Sequence, residues 1–170
     1  MVAMAMRSRL ESALSETGGT VTSFLEKLVG EQVDAHERRH VTVAAGTPNF
    51  FGVEKGHPLV QRSAVLQGRT SAQPFVSAET LLVPSRLPAA FSRRLEASAD
   101  PIGRILAAEG IEFSRSPLPG PAPRRSWTLG ALPEWDDCIL ARTYRIEIDG
   151  LAAMVISEWF LRSLEAFLCP

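Results

Sequence analysis

The chain has few of the residues that would mark it as secreted, metal-bound or membrane-embedded. Its two cysteines, Cys138 and Cys169, are too few for a disulfide framework, and neither stands in a CxxC or Cys/His spacing that would hold a metal. Net charge is nearly absent as well: 18 basic residues face 19 acidic ones, leaving −1. No global field therefore recruits nucleic acid or an anionic membrane, and an anionic ligand would have to be captured by a few placed arginines. No apolar run approaches the ~20 residues of a membrane span. Near the start, Arg7, Arg9 and Glu11 interrupt the apolar stretch before it reaches signal length, so the expected location is the cytoplasm. The histidines are His36, His40 and His57, with acids only scattered around them, and they read as a polar strand face rather than a metal site. What is present, 45% apolar and 22% charged residues over 170 positions, suits one soluble domain that buries about two-thirds of its unfolded surface.

Punctuation divides the chain clearly. Arg7 to Glu16 reads as a short helix ended by Thr17-Gly18-Gly19. Thr20 or Thr22 can cap a second helix to about Val29, where Val21, Phe24, Leu25 and Leu28 recur at helical spacing before Gly30. Gln32 to Val43 suggests an extended strand, and Gly46 to Pro58 a loop. Leu59 to Gln67 and Pro74 to Val83 are strand-like and joined by the hairpin signal Gly68-Arg69-Thr70-Ser71. Leu87 to Ala97 and Pro101 to Glu109 look helical, the latter with Asp100 capping and Pro101 at the first helical position. After a short strand at Ile111 to Ser114, four prolines in Ser116 to Pro123 predict a loop or flap. Cys138 to Ile148 and Leu151 to Phe160 form the clearest hairpin, closed by Asp149-Gly150. The arginines and tryptophan of 124–127 are a patch too short to bind nucleic acid, and Trp127 and Trp135 are expected to cover the core. The sum is a single α+β domain, 1–170, on an antiparallel sheet of about six strands.

Function begins to show where charges fall on apolar strand faces. Arg62 shares a face with Val60, Ala64 and Leu66; Glu158 shares one with Met154, Ile156 and Phe160. An unpaired buried ion costs several kcal/mol, so each needs a partner. A two-residue turn at Asp149-Gly150 would place Glu158 opposite Ala141, and Arg145 opposite Met154 on the same face. Two readings compete. Either Arg62 and Glu158 pair with neighbours and hold the sheet in register, or they address opposite ends of a small ligand. A guanidinium binds a carboxylate through parallel hydrogen bonds and a carboxylate accepts from a hydroxyl, so a hydroxylated aromatic acid would suit.

Several blocks resemble the chorismate lyase family. They are Thr20-Val21-Thr22-Ser23-Phe24-Leu25-Glu26, Gln61-Arg62-Ser63-Ala64-Val65-Leu66, and Glu79-Thr80-Leu81-Leu82-Val83-Pro84. Then follow Asp100-Pro101-Ile102-Gly103-Arg104-Ile105-Leu106, Ala141-Arg142-Thr143-Tyr144-Arg145-Ile146, and Met154-Val155-Ile156-Ser157-Glu158-Trp159-Phe160-Leu161. They occur in family order across about 19–161. The resemblance implies a chorismate lyase-like twisted antiparallel sheet with flanking helices and an internal ligand site. It also implies release of pyruvate from chorismate to leave 4-hydroxybenzoate, without cofactor or metal. The family's product-binding arginine falls on Arg62 and its essential glutamate on Glu158. Its apolar contacts fall on Ile102 and on Val21, where the better-known branch has methionine. Glu79 stands where that branch has arginine, and is expected to face solvent or to pair with Arg69.

The implied mechanism has Arg62 clamping the ring carboxylate and Glu158 binding the C4 hydroxyl, while Arg145, or failing it Arg142, takes the pyruvyl carboxylate. Gly46 to Pro58 and Ser116 to Pro123 are candidate flaps. Expected partners are chorismate, 4-hydroxybenzoate and pyruvate, with no nucleic acid and no membrane; the chain would be a monomer or small homo-oligomer. Two rivals stand: a non-catalytic effector-sensing domain of the same fold, and a lyase acting on aminodeoxychorismate to give 4-aminobenzoate. Only about 19 residues precede the first matching helix, too few for a DNA-binding helix-turn-helix, which favours the enzyme.

Overall fold

A computed structural model describes residues 2–16, 19–47, 49–118 and 137–168. Two helices open the chain, α1 (Val2–Glu16) and α2 (Val21–Val29). They are followed by strands β1 (Val33–Ala44), β2 (Pro58–Gly68) and β3 (Pro74–Leu82). A 3-10 turn at Pro84–Arg86 leads into α3 (Ala89–Ala97) and α4 (Ile102–Ala108). Strands β4 (Ser114–Pro117), β5 (Cys138–Ile148) and β6 (Leu151–Leu161) and the short α5 (Glu165–Leu168) complete the order. The architecture is the expected α+β one. Among the described residues all pairings are antiparallel, in a six-stranded sheet ordered β1-β2-β3-β6-β5-β4. Two three-stranded meanders thus meet at the central β3/β6 pair.

Local chemistry accounts for the ends of the elements. Thr20 caps α2 by accepting from the Ser23 amide at 3.2 Å, and Gly30 closes it in the left-handed region at φ 74°. Asp149 and Gly150 both take positive φ, 52° and 75°, as a two-residue turn matched to strand twist requires.

Three expectations are corrected. Asp100 does not cap α4: Pro101 holds the cap position without a side-chain bond, and Asp100 instead accepts from Arg94 at 2.9 Å and Arg104 at 3.1 Å. The fourth strand begins at Ser114 rather than ending there, so Ser116 and Pro117 belong to β4. A proline is tolerated because, among the described residues, β4 is an edge strand with one side free of ladder bonds. Glu79 neither faces solvent nor meets Arg69. It is buried on the sheet face turned away from Arg62, while Arg69 forms a two-pronged bond to Asp34, 2.8 Å on each side. The remaining prolines of the expected flap, Trp127 and Trp135 lie outside the described residues.

Two apolar clusters cover one face of the sheet. Leu10 of α1 and Phe24 and Leu25 of α2 pack there on Phe160 and Leu66. Phe91 and Leu95 of α3 and Ile105 and Leu106 of α4 pack on Ile146, Met154 and Ile156. Between the clusters the face carries polar groups, and there the sheet is not filled.

Candidate functional site

The gap between the clusters is a cavity of about 510 Å3, its mouth included. Its floor is the sheet: Arg62, Ala64 and Leu66 from β2, Ala78 and Thr80 from β3, Ile156 and Glu158 from β6, Tyr144 and Ile146 from β5. Its roof is the start of α2, with Val21, and the start of α4, with Ile102. Four of the expected site residues, Arg62, Glu158, Val21 and Ile102, therefore line one cavity.

Arg62 is 4% exposed. Its Nε donates to Glu37 Oε2 at 2.6 Å, and His40 Nδ1 lies 3.3 Å from the same oxygen. A bulge between Glu37 and Arg39 makes this possible, because residues three apart otherwise lie on opposite faces of a strand. Burial pushes the Glu37 carboxyl up, but bonds from Arg62 and His40 outweigh it and hold the carboxyl below its usual range. Among the described residues the two Nη groups of Arg62 meet no protein acceptor. Its outer edge remains available to an anion.

Glu158, also 4% exposed, is held by two donors. Arg142 Nε donates to Oε2 at 2.9 Å and the Tyr144 hydroxyl to Oε1 at 2.7 Å. A carboxylate has about four acceptor positions, so capacity remains on both oxygens. Burial pushes the Tyr144 phenol well above its ordinary value, and the negative charge of Glu158 adds to this. Tyr144 is thus a neutral, donating phenol. Arg142 stacks on its ring at 5.1 Å and on Phe160 at 5.4 Å, while Arg115 from β4 stacks on it at 4.8 Å.

The hairpin register differs from the simple one. Ile148 pairs with Leu151 as expected, but a bulge between Ile146 and Glu147 makes Ala153 an extra residue and shifts the pairs from Ile146–Met154 to Leu140–Phe160 by one, until a second irregularity before Cys138 restores the simple register. Arg142, not Ala141, faces Glu158, and Arg145 faces Val155 on the opposite side of the sheet. There Arg145 bonds Glu147 at 2.7 Å, away from the cavity. Of the two candidates for a second carboxylate, Arg145 is outside the site and Arg142 is at its edge. Tyr144 and Arg115 were missed from the sequence. Tyr144, the chain's single tyrosine, alternates with Arg142 and Ile146, a signal that becomes readable once the bulge is known. Arg115 fell beside the proline run, where no strand was expected.

Among the described residues no group of three or more His, Cys, Asp or Glu side chains could hold a metal ion, and no helix is long and apolar enough to cross a membrane.

Comparison with known proteins complements this geometry. No family model matches the chain. A chorismate pyruvate-lyase of Mycobacterium leprae is 32% identical over 162 residues, covering 89% of this chain and 73% of that protein. One of Mycobacterium tuberculosis is 36% identical over 115 residues, covering 62% of this chain; the match spans only about half that relative's length, 54%. Among solved structures, the effector domain of PhnF from Mycobacterium smegmatis superposes with a TM-score of 0.52 at 15% identity, covering 85% of this chain and 90% of that one. The C-terminal domain of the histidine utilization repressor from Pseudomonas syringae pv. tomato gives 0.50 at 11% identity, covering 78% and 93%. At such identities the structural likeness concerns the fold alone.

Proposed function

This chain belongs to the chorismate pyruvate-lyase family, and we propose that it eliminates pyruvate from chorismate to leave 4-hydroxybenzoate. One observation carries the reading: a largely apolar cavity has a buried guanidinium with a free edge at one side and a buried carboxylate with spare acceptor capacity at the other. In register, Arg62 pairs with Thr80 of β3, and Glu158 pairs with Ala78, two residues along that strand. The two charged residues therefore stand ~10 Å apart across two strand spacings and ~7 Å apart along the strands. Both side chains reach back into the intervening cavity.

In this reading the Nη edge of Arg62 clamps the ring carboxylate, Val21 and Ile102 press on the ring face, and Glu158 accepts a hydrogen bond from the C4 hydroxyl. Arg142 and Tyr144 keep the Glu158 carboxylate oriented. The bond between C3 and the ether oxygen breaks with its electron pair leaving on oxygen. The C4–H bond supplies the electrons of the new ring double bond, and the hydrogen ends on the methylene carbon of the three-carbon fragment, which becomes pyruvate. Atoms and electrons balance without an oxidant or an added water, so the reading calls for no cofactor. The chain's own task is to fix ring geometry in a site shielded from water.

The test is incubation of the purified chain with chorismate, without added metal or nucleotide, followed by chromatography of products; the amino analogue runs alongside. Release of 4-hydroxybenzoate and pyruvate is expected. Arg62→Ala and Glu158→Ala should each lower kcat/KM about 100-fold or more with the far-ultraviolet circular dichroism unchanged. Full turnover by either variant overturns its assignment. The fold shared with regulator effector domains favours a second reading, ligand binding without catalysis. It would show as tight binding of 4-hydroxybenzoate with no pyruvate formed.

A further inference from the structure

The lyase reading leaves one part of the substrate without a partner. Chorismate carries two carboxylates and a hydroxyl; Arg62 and Glu158 account for one carboxylate and the hydroxyl. Besides Arg62, one other cationic side chain lines the cavity among the described residues, and it is Arg115. Its position differs from those of the other guanidiniums. Arg62 is tied to Glu37, Arg142 to Glu158 and Arg145 to Glu147, whereas Arg115 makes no ion pair among the described residues and rests its guanidinium 4.8 Å above the Tyr144 ring. Beside it Thr20, Val21, Phe24, Arg115 and Arg142 close on a crevice too tight to admit a water-sized group. Among the described residues, Arg142 Nη2 is buried and has no acceptor. A buried cationic donor without a partner is costly, and the charge of Arg142 adds to that of Arg115 in favouring an anion in the cavity that Arg115 lines. On its other side Arg115 borders an open cleft lined by Leu14, Gly19, Ile111 and Phe113.

The geometry points to Arg115, backed by the charge of Arg142, as the subsite for the enolpyruvyl carboxylate, the second anionic group of the substrate. This rests on the lyase reading and deepens it. Two guanidiniums then meet two carboxylates while one carboxylate meets one hydroxyl. The subsite selects a dicarboxylate over a monocarboxylate, because a ring acid without the three-carbon arm engages Arg62 alone. Stacking on Tyr144 fixes the Arg115 guanidinium over the same phenol that orients Glu158, so the arm is held on the side where the ether bond must break. Arg115 also stands where the cavity meets the outer cleft, which gives the freed pyruvate an exit that does not cross the ring product.

The test compares the full chain with Arg115→Gln and Arg115→Lys by two measurements: steady-state turnover of chorismate and equilibrium titration with 4-hydroxybenzoate, read by tryptophan fluorescence. Arg115→Gln should lower kcat/KM for chorismate about 10- to 100-fold, chiefly through KM, while affinity for 4-hydroxybenzoate stays within about twofold. Arg115→Lys should recover part of the loss, and Arg62→Gln should lose 4-hydroxybenzoate affinity instead. Wild-type kcat/KM in Arg115→Gln, or a parallel loss of 4-hydroxybenzoate affinity, overturns the assignment. A wild-type chain that forms no pyruvate defeats the lyase reading separately. Titration with chorismate itself then still separates the two: an affinity lowered tenfold in Arg115→Gln supports the subsite, and an unchanged one overturns it.

Discussion

Glu158 shows how a buried carboxylate keeps its charge useful. Arg142 supplies an ionic donor to one oxygen and Tyr144 a neutral donor to the other, so the group is both compensated and fixed in direction. Tyr144 is 5% exposed, and phenylalanine would preserve its packing against Arg115 and Arg142. Tyr144→Phe should therefore leave the fold intact and lower kcat about 10- to 100-fold, the loss of one charge-assisted bond of about 1.5–3 kcal/mol. The alkaline limb of the kcat–pH profile should stay where it is, because the phenol is held protonated well above neutrality. A kcat equal to wild type would show that Arg142 alone orients the carboxylate. At this scale Arg62 and Glu158 were legible in the sequence, since alternation along a strand is local and each charge interrupts an apolar face. Glu37 was not legible as the partner of Arg62: the pairing depends on a bulge that leaves no mark in composition.

The elements repeat that lesson. Every strand except β4 was visible from hydrophobic alternation and turn residues, and the Asp149-Gly150 turn was placed correctly. The single extra residue at Ala153 could not be seen, and it exchanges the roles of Arg142 and Arg145. A strand pattern reports which residues share a face only up to the next bulge. The roof of the cavity depends on a contact equally hidden from pattern. A Cβ placed on Gly103 would stand 2.6 Å from Thr20 Cβ and 2.8 Å from its Oγ1, so the first turn of α4 touches the cap of α2 because position 103 has no side chain. Gly103→Ala must push α2 away and disturb the hydroxyl that receives the Ser23 amide. The expected destabilisation is about 1–3 kcal/mol, the usual scale for overpacking, with weaker 4-hydroxybenzoate binding as Val21 and Ile102 separate. Thermal unfolding and ligand titration of that variant would check both, and wild-type values in each would mean that the helices yield freely.

Across the whole molecule, an ion-pair network holds the roof to the sheet. Arg104 of α4 reaches Glu26 of α2, the Val33 carbonyl at 2.8 Å, Asp34 of β1 at 3.4 Å and Asp100 at 3.1 Å. Asp34 continues to Arg69 in the β2–β3 turn, and Asp100 to Arg94 of α3. The Arg69 guanidinium, aided by Arg104, holds the Asp34 carboxyl below its usual range against the opposing effect of burial. At Asp100 burial raises the carboxyl, but Arg94 and Arg104 outweigh it and the net direction is again down. Carboxyls with lowered folded-state values contribute stability that is whole above the unfolded value near 3.9, and that drains as the pH falls through the folded ones. The aspartates are partly solvated, so the pair is worth about 1 kcal/mol rather than several. The double variant Asp34→Asn/Asp100→Asn should then melt about 2–4 °C below wild type at pH 7, and calorimetric scans at successively lower pH should show the two Tm curves converging below pH 4. A constant offset down to pH 3 would locate the loss in packing rather than in charge. Convergence would mean that the same arginines which close the roof in neutral solution release it in acid, so ligand affinity should weaken over that pH interval before the sheet itself unfolds.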